Sequence, residues 1–246
     1  GGFGATIAAY TQMWTHPLLS TAYINSIGIV VVGTTLNIIM TSICAYVLSR
    51  EGTMLKKPFT LFIMFTMFFG GGMIPSYIVN TQILGLNDSY LALILPGAIS
   101  VYNMIIMRTN FEGIPASLDE AARLDGAGHM RILFQIVLPL SKAIIAVMIL
   151  YYAVGHWNSW FSASLYIRTA SKKPLQLVLR EILIQNDTSS MSSGSSGTAA
   201  GQADQAEIGE TLKYATIVFA TVPILIVYPF LQKYFTKGVM VGAVKG

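Results

Sequence analysis

Charged residues are scarce in this chain of 246 residues, whereas hydrophobic residues are abundant. Asp, Glu, Lys and Arg together make up 11% of the sequence, and hydrophobic residues make up 54%. A soluble globular domain carries about 25% charged residues, because its surface must face water. The shortage excludes an ordinary soluble domain, and the long uncharged runs predict an all-α, polytopic helical membrane protein.

Residues that commonly carry catalysis or bind metals are also few. Cys44 is the single cysteine, so an internal disulfide and a cysteine-based metal site are excluded. The histidines His16, His129 and His156 are scattered, and neither an H-E-x-x-H motif nor a G-x-x-x-x-G-K-[ST] phosphate loop occurs. We therefore expect no catalytic residue, no metal site, no cofactor and no ATP hydrolysis in this chain.

Uncharged runs long enough to cross a hydrocarbon core, which takes about 20 helical residues, recur along the chain. Gly70 to Gly72 interrupt the second run and Pro96-Gly97 interrupt the third, so we expect these helices to kink against neighbouring protein. The alternative is that these runs are buried helices of a soluble protein. Five such runs in one chain argue against it. The five predicted spans are 23–48, 58–79, 90–107, 143–167 and 214–231.

The positions of the basic residues predict the orientation, since cytoplasmic loops retain Lys and Arg. Ten of the 15 basic residues follow spans one, three and five. We therefore expect a cytoplasmic loop at 108–142, an extracytoplasmic loop at 168–210 and a cytoplasmic C-terminal tail at 235–246. Five spans put the N-terminus outside, and the chain starts at Gly1 without Met or a signal peptide. A sixth span is therefore expected upstream.

The cytoplasmic loop contains a motif that predicts two short helices joined by a glycine turn. Ser117 and Glu120 have the spacing of a capping box, so a helix should begin just after Ser117. Gly126 suits the left-handed end of that helix, and a second helix should run from about Gly128 towards Pro139. Small side chains at Ala121 and Ala122, and acidic ones around them, fit docking to another protein better than acid/base catalysis.

The spacing Glu120-Ala-Ala, Gly126, Ile136-x-Leu138-Pro139 resembles the coupling signature of permease subunits of ABC importers. A solvated hairpin between two spans is the alternative reading. The resemblance implies that this loop contacts cytoplasmic ATPase subunits and transmits their movement. The implied coupling residues are Glu120, Ala121, Ala122, Asp125, Gly126, Ile136, Leu138 and Pro139.

Further segments resemble the carbohydrate-uptake branch, in particular the second permease subunit of maltose-type importers. They are Pro115-Ala-Ser-Leu-Asp-Glu-Ala-Ala122, His156-Trp-Asn-Ser-Trp-Phe161, Pro174-Leu-Gln-Leu-Val-Leu-Arg-Glu181 and the terminal Gly242-Ala-Val-Lys-Gly246. The resemblance implies six spans in a bacterial cell membrane, a second permease subunit, two ABC ATPases that bind ATP and Mg, an extracytoplasmic solute-binding protein and an oligosaccharide substrate. Nucleic acid is not an expected partner. The tail around Gly242 and Lys245 is implied as a second coupling contact, although a frayed terminus is equally compatible with its sequence.

The polar and aromatic end of span four is the candidate sugar path. Sugars present C–H faces that stack on aromatic rings and hydroxyls that need polar partners, whereas an aromatic belt at the membrane interface is the alternative. Met64, Met67 and Met73 of span two are weaker candidates. The candidate path residues are His156, Trp157, Asn158, Trp160, Phe161 and, from span two, Tyr77.

The outer loop has two parts. The segment 174–185 places Leu175, Leu179 and Ile182 on one helical face, which predicts an amphipathic helix at the membrane surface. The low-complexity segment 187–205 is typical of a flexible linker, and the resemblance suggests that it reaches the binding protein.

The favoured function is thus an importer permease for oligosaccharides. A permease for a non-sugar solute shares the coupling signature and stays an alternative. An ion-coupled secondary transporter would need charged residues within its spans, and these spans have none. A neutral and an acidic, uronate-containing oligosaccharide both remain possible substrates.

Overall fold

The structure, a computed structural model, describes residues 17–50, 54–193 and 213–229, the single residues 11, 52, 211 and 232, and only the backbone over 186–193. Within these residues every regular element is helical and no strand occurs. The elements in chain order are α1 (Leu19–Ser49), α2 (Lys56–Phe68), α3 (Met73–Ile83), α4 (Leu91–Gly97), α5 (Val101–Glu112), α6 (Ala116–Leu124), α7 (His129–Leu140), α8 (Lys142–Trp157), α9 (Trp160–Tyr166), α10 (Leu175–Ser193) and α11 (Lys213–Pro229).

The long helix α1 is the centre of the fold. Its 31 residues contain no charge, and by length and apolar composition it qualifies alone as a membrane span. Helices α5, α8 and α10 pack against it. Its buried side chains include small and polar ones such as Ala45, Asn37 and Thr41, which allow close approach of neighbouring helices and hydrogen bonds to them.

Several predicted spans are broken helices. α2 and α3 meet at 110° across the glycine run, and α4 and α5 meet at 50° just after Pro96-Gly97, as expected from these residues. A third bent pair is α7 and α8, which meet at 89°. Counting each bent pair as one span, up to four described spans, including α1, qualify by length and composition, and α11 is a shorter apolar helix. The predicted run 143–167 is not one helix, because Asn158 and Ser159 separate α8 from α9.

The outer loop differs from its prediction in extent and packing. Helix α10 begins at Leu175 and continues to Ser193, so a flexible linker from Asp187 is wrong as far as Ser193. Once the apolar first turns have formed a helix, adding residues costs less than starting one, and a polar sequence can follow. Leu175, Leu179 and Ile182 do share one face, but they are buried in a cluster with Trp157 and with the first turn of α1. Residues 194–205 lie outside the described residues.

A second apolar cluster lies at the other end of α1. Tyr46 and Leu48 of α1 pack there with Met104 and Phe111 of α5 and with Ile132 of α7. This cluster forms the base from which α6 projects, because α5 leads into α6 and α7 returns from it.

Candidate coupling hairpin and transport path

Helices α6 and α7 form the predicted hairpin, with two differences in detail. The prediction that Ser117 caps the first helix is wrong: α6 begins at Ala116 after Pro115, and no side chain caps it. Pro115 is itself the N-cap residue, with an extended ψ of 130°, and the helix starts directly after it; the proline has no N–H that would need a partner there. Within α7, Leu133–Val137 is π-helical. Pro139 lies just beyond and cannot donate the usual hydrogen bond, which favours such a local shift.

The glycine turn is confirmed. Gly126 has φ of 78°, and its N–H donates to the carbonyl of Arg123 at 2.9 Å. The N–H of Ala127 donates to the carbonyl of Ala122 at 2.9 Å, so both bonds close the end of α6. The left-handed backbone conformation at this position favours glycine, because glycine has no Cβ.

The eight candidate coupling residues fall into two groups. Glu120, Ala121, Asp125 and Gly126 are exposed on the tip of the hairpin, and Ala122 is half-buried. Ile136 and Leu138 are half-buried against the apolar cluster beneath the hairpin, whereas Pro139 is exposed. The exposed tip also includes Leu124, whose side chain is 89% exposed.

Asp119 is one of the acidic side chains around Ala121 and Ala122 that the sequence favoured for docking, but the structure buries it. Its Oδ1 lies 3.3 Å from Nη1 of Arg50, and its Oδ2 lies 3.4 Å from Nη2 of Arg123. Arg50 also stacks over the Tyr46 ring, with 4.7 Å between its guanidinium carbon and the ring centroid. Sequence offered a weak signal for Arg50, which is the first charge after a span.

Two of the candidate path residues contact other helices. Nε2 of His156 lies 2.6 Å from Oδ1 of Asn37 in α1, and Nδ2 of Asn37 donates to the carbonyls of Gly97 and Ala98. Trp157 is buried, and its Nε1 donates to the carbonyl of Ala220 in α11 at 3.0 Å. These side chains therefore hold helices together, and Asn37 is one residue that sequence reasoning missed.

The remaining path residues form two aromatic groups, each with an arginine. Trp160 is half-buried, and the guanidinium carbon of Arg180 lies 3.5 Å from its ring centroid. Asn158 and Phe161 beside it are exposed. Tyr77 stacks on Tyr166 with 5.7 Å between ring centroids.

Tyr77 also accepts a hydrogen bond from Nη2 of Arg168 at 3.3 Å. Sequence reasoning did not associate Arg168 or Arg180 with the path, because both lie in the loop after span four. No pattern in the sequence indicates which ring an arginine from another segment will reach.

Asp88 ties the loop before α4 to the loop after α9. Its carboxylate accepts hydrogen bonds from the backbone N–H groups of Arg168 and Thr169, from the Thr169 hydroxyl and from Nζ of Lys172 at 2.6–3.0 Å. The Thr169 hydroxyl and the backbone donors, assisted by Lys172, hold the pKa of Asp88 well below its usual range. Asp88 therefore stays ionised and fastens the two loops together.

Metal-binding chemistry is not evident in the described part of the chain, where no group of three His, Cys, Asp or Glu side chains could hold an ion. Gly242 and Lys245 of the candidate coupling tail lie outside the described residues.

Comparison with known proteins decides the family. Residues 32–241 match the family described as the inner membrane component of binding-protein-dependent transport systems. The chain belongs to this family. It is therefore the permease component of an ABC importer, a non-catalytic membrane subunit, and nucleotide binding belongs to the partner ATPases.

Several relatives match over nearly the whole chain. The polygalacturonan/rhamnogalacturonan transport system permease protein YtcP of Bacillus subtilis (strain 168) is 42% identical over 98% of this chain and 82% of its own length. The galactooligosaccharides transport system permease protein GanQ of the same organism is 30% identical over 91% of this chain and 74% of its own length.

A solved structure gives the same fold. The chain matches, with 33% identity and a TM-score of 0.77, a crystal structure of a bacterial ABC transporter involved in the import of the acidic polysaccharide alginate. The match covers 92% of this chain and 79% of that chain.

Proposed function

We propose that this importer subunit carries uronate-containing, acidic oligosaccharides across the membrane, together with a second permease subunit. A binding protein outside the cell delivers the sugar, and two cytoplasmic ATPases act on the tip of the α6–α7 hairpin. The C-terminal tail lies on the same, cytoplasmic side, in accordance with the basic residues around it.

The observation that carries the acidic substrate is the pairing of arginines with the aromatic side chains of the path. Arg180 lies against Trp160, and Arg168 lies against Tyr77. A uronate presents a C–H face for an aromatic ring and a carboxylate for a guanidinium, which binds carboxylates in a two-pronged geometry. A neutral sugar would need no cation beside the rings.

The names of two similar proteins support this choice. Polygalacturonan is named for the relative with 42% identity, and the acidic polysaccharide alginate is named for the structural neighbour. GanQ, named for galactooligosaccharides, is less similar at 30% identity.

The need for a second permease subunit is supported by α2 and the first part of α3, which bury none of their residues in this chain. Phe62 and Phe68 of α2 are 68% and 73% exposed, and Ile74 of α3 is 68% exposed. The glycine break between the two helices leaves backbone groups that must be satisfied by protein or by a water-filled cavity inside a membrane. A partner subunit on this face would supply both the apolar cover and the other wall of the path.

The substrate is tested by uptake into proteoliposomes that contain the whole importer and its binding protein. Labelled oligogalacturonate, alginate oligomers and a neutral galactooligosaccharide are compared. We expect uptake of an acidic oligomer, and Arg180→Gln should raise its KM about tenfold, which corresponds to about 1.4 kcal/mol. Arg131→Gln, which removes one positive charge at α7, should leave KM unchanged. Uptake of only the neutral sugar would contradict an acidic substrate.

The coupling role is tested with Glu120→Lys and Gly126→Asp in the same system. Both substitutions change the exposed tip, so we expect the ATPases to hydrolyse ATP without sugar uptake while the permease still inserts. The milder Glu120→Gln should retain more uptake. Normal uptake by Glu120→Lys would refute docking at this tip.

A further inference from the structure

Helix α6 is anchored by a charge rather than by an apolar face. Asp119 is its buried residue, with 7% exposure, whereas Leu118 is 42% exposed and Leu124 is 89% exposed. A short surface helix usually buries an apolar stripe against its support. Here Leu118 and Leu124 are exposed, only the small Ala122 packs against the second apolar cluster, and the buried side chain is a carboxylate.

The Asp119 carboxylate has two arginine partners, one on α6 itself and one on another part of the chain. Arg123 belongs to α6 itself, one turn after Asp119, and its side chain is 49% exposed. Arg50 directly follows α1, and its side chain is only 13% exposed. The contact with Arg50 therefore joins α6 to another helix, whereas the contact with Arg123 stays within α6.

Burial makes the Asp119–Arg50 contact hard to separate. Both groups have left most of their water, so moving one away leaves an uncompensated charge in a poorly solvated place. The Tyr46 ring holds the other side of the Arg50 guanidinium. A displacement of α6 should consequently draw the end of α1 with it.

Helix α1 is hydrogen-bonded in turn to helices that carry the candidate path. Asn37 of α1 bonds to His156 of α8, and Thr41 of α1 lies 2.7 Å from Tyr152 of α8, oxygen to oxygen. The same Asn37 bonds to the break after α4. The contacts run from the hairpin through Arg50 and α1 to the helices that carry the candidate path.

We propose that Asp119 and Arg50 are a pair of positioning residues that link the coupling hairpin to the first span. The pair transmits movement of α6 to α1 and is not itself a contact with the ATPases. The proposal rests on the proposed function, in which the tip of the hairpin receives that movement.

A cavity beside the pair gives the substitutions room. It has a volume of about 510 Å³. Its lining includes Arg50, Lys56, Glu112, Asp119 and Arg123. Replacing a charged group by an amide of similar shape is therefore not expected to force the helices apart.

The test uses the complete importer in proteoliposomes, with the acidic or neutral oligosaccharide that the wild type transports as the probe. Uptake per ATP hydrolysed is measured together with the amount of assembled complex. We expect Asp119→Asn and Arg50→Gln each to lower uptake per ATP about tenfold with assembly unchanged. Arg123→Gln, which removes the partner on α6 itself, should stay within about twofold of wild type.

A double variant and conservative variants separate transmission from a general structural role. If the pair acts as a unit, the Asp119→Asn, Arg50→Gln double variant should be no worse than either single one, and Asp119→Glu should regain part of the coupling. Multiplicative losses in the double variant, or normal coupling in Arg50→Gln, would overturn the proposal. If Glu120→Lys uncouples transport and Asp119→Asn does not, the link fails and the proposed function stands. Coupling left intact by all of these variants would instead contradict the proposed function.

Discussion

Nε2 of His156 lies 2.6 Å from Oδ1 of Asn37, and this contact joins the middle of α1 to α8. Asn37 also donates to the carbonyls of Gly97 and Ala98, at the break that follows Pro96. His156, which the sequence suggested for a sugar path, therefore contacts the asparagine that holds a broken helix. In a membrane such carbonyls need a protein partner, because lipid offers no hydrogen bond.

The first prediction concerns the close approach of α1 and α8 at Gly33. A Cβ at Gly33 would lie 2.5 Å from Nε2 of His156, so Gly33→Ala must displace the ring and weaken its bond to Asn37. Overpacking of this kind costs about 1–3 kcal/mol. We expect a lower thermal unfolding temperature for the purified permease complex.

Gly28→Ala is the matched control for this substitution. Gly28 lies in the same helix, and a Cβ there would meet nothing within 4 Å. In the double variant Gly33→Ala, His156→Ala the imidazole ring is absent, so the overlap should be relieved. Equal unfolding temperatures for Gly33→Ala and Gly28→Ala would contradict the packing argument.

The second prediction concerns the turn of the coupling hairpin. Gly126 has φ of 78°, so Gly126→Ala places a Cβ in a left-handed conformation at a cost of about 1–2 kcal/mol. We expect weaker sugar uptake per ATP, because the end of α6 must unwind or shift. Gly126→Asn should be milder, since asparagine tolerates this conformation better.

Gly128→Ala is the control in the same turn. Gly128 has φ of −73°, which any residue adopts, and a Cβ would meet nothing within 4 Å. We expect uptake close to wild type. A loss equal to that of Gly126→Ala would mean that bulk in the turn, and not backbone strain, sets the effect.

The third prediction is a pH dependence from Asp88. The pKa of Asp88 is lowered by its hydrogen bonds to Thr169 and Arg168 and by Lys172, so ionisation of Asp88 stabilises the folded protein. That contribution is complete above the ordinary aspartate pKa of about 3.9 and is lost as the pH falls towards the lowered value. We expect the unfolding temperature of the wild type to drop on acidification below about pH 4.

Asp88→Asn should lower the unfolding temperature at neutral pH and flatten its decline in acid. Asparagine also accepts the positive φ of 50° at this position, so backbone strain does not confuse the comparison. Asp125→Asn, at an exposed carboxylate of the hairpin turn, is the control and should leave the acid slope unchanged. Parallel pH curves for the wild type and Asp88→Asn would argue against this loop anchor.

Some of the structure follows from local chemistry and was predictable. The glycine run and Pro96-Gly97 break their helices independently of tertiary contacts, because they weaken or interrupt the hydrogen bonds within a helix. The left-handed turn at Gly126 is equally local. The capping role of Ser117 was wrong although it is also local, since Pro115 offered an earlier start to the same helix.

The partners of polar side chains were not predictable. His156 and Asn37 are separated by 119 positions in the sequence. Asn25 of α1 donates to the carbonyls of Ser171 and Lys173, which lie 146 and 148 positions further along the chain. Such pairs depend on how each helix is rotated about its axis. Within an almost wholly apolar span the sequence has little periodicity from which that rotation could be read.

The sequence by itself determined a helical membrane protein of the importer type, the broken helices and the exposed hairpin of α6 and α7. Scarcity of charge, the placement of glycine and proline, and a fixed motif spacing are properties of the chain that need no partner. Only the tertiary structure decided that Asp119 forms an ion pair with Arg50, that His156 is hydrogen-bonded to Asn37, and that Arg180 stacks on the Trp160 ring. A charge or a ring acquires its role from the group opposite it, and helix packing alone brings those groups together.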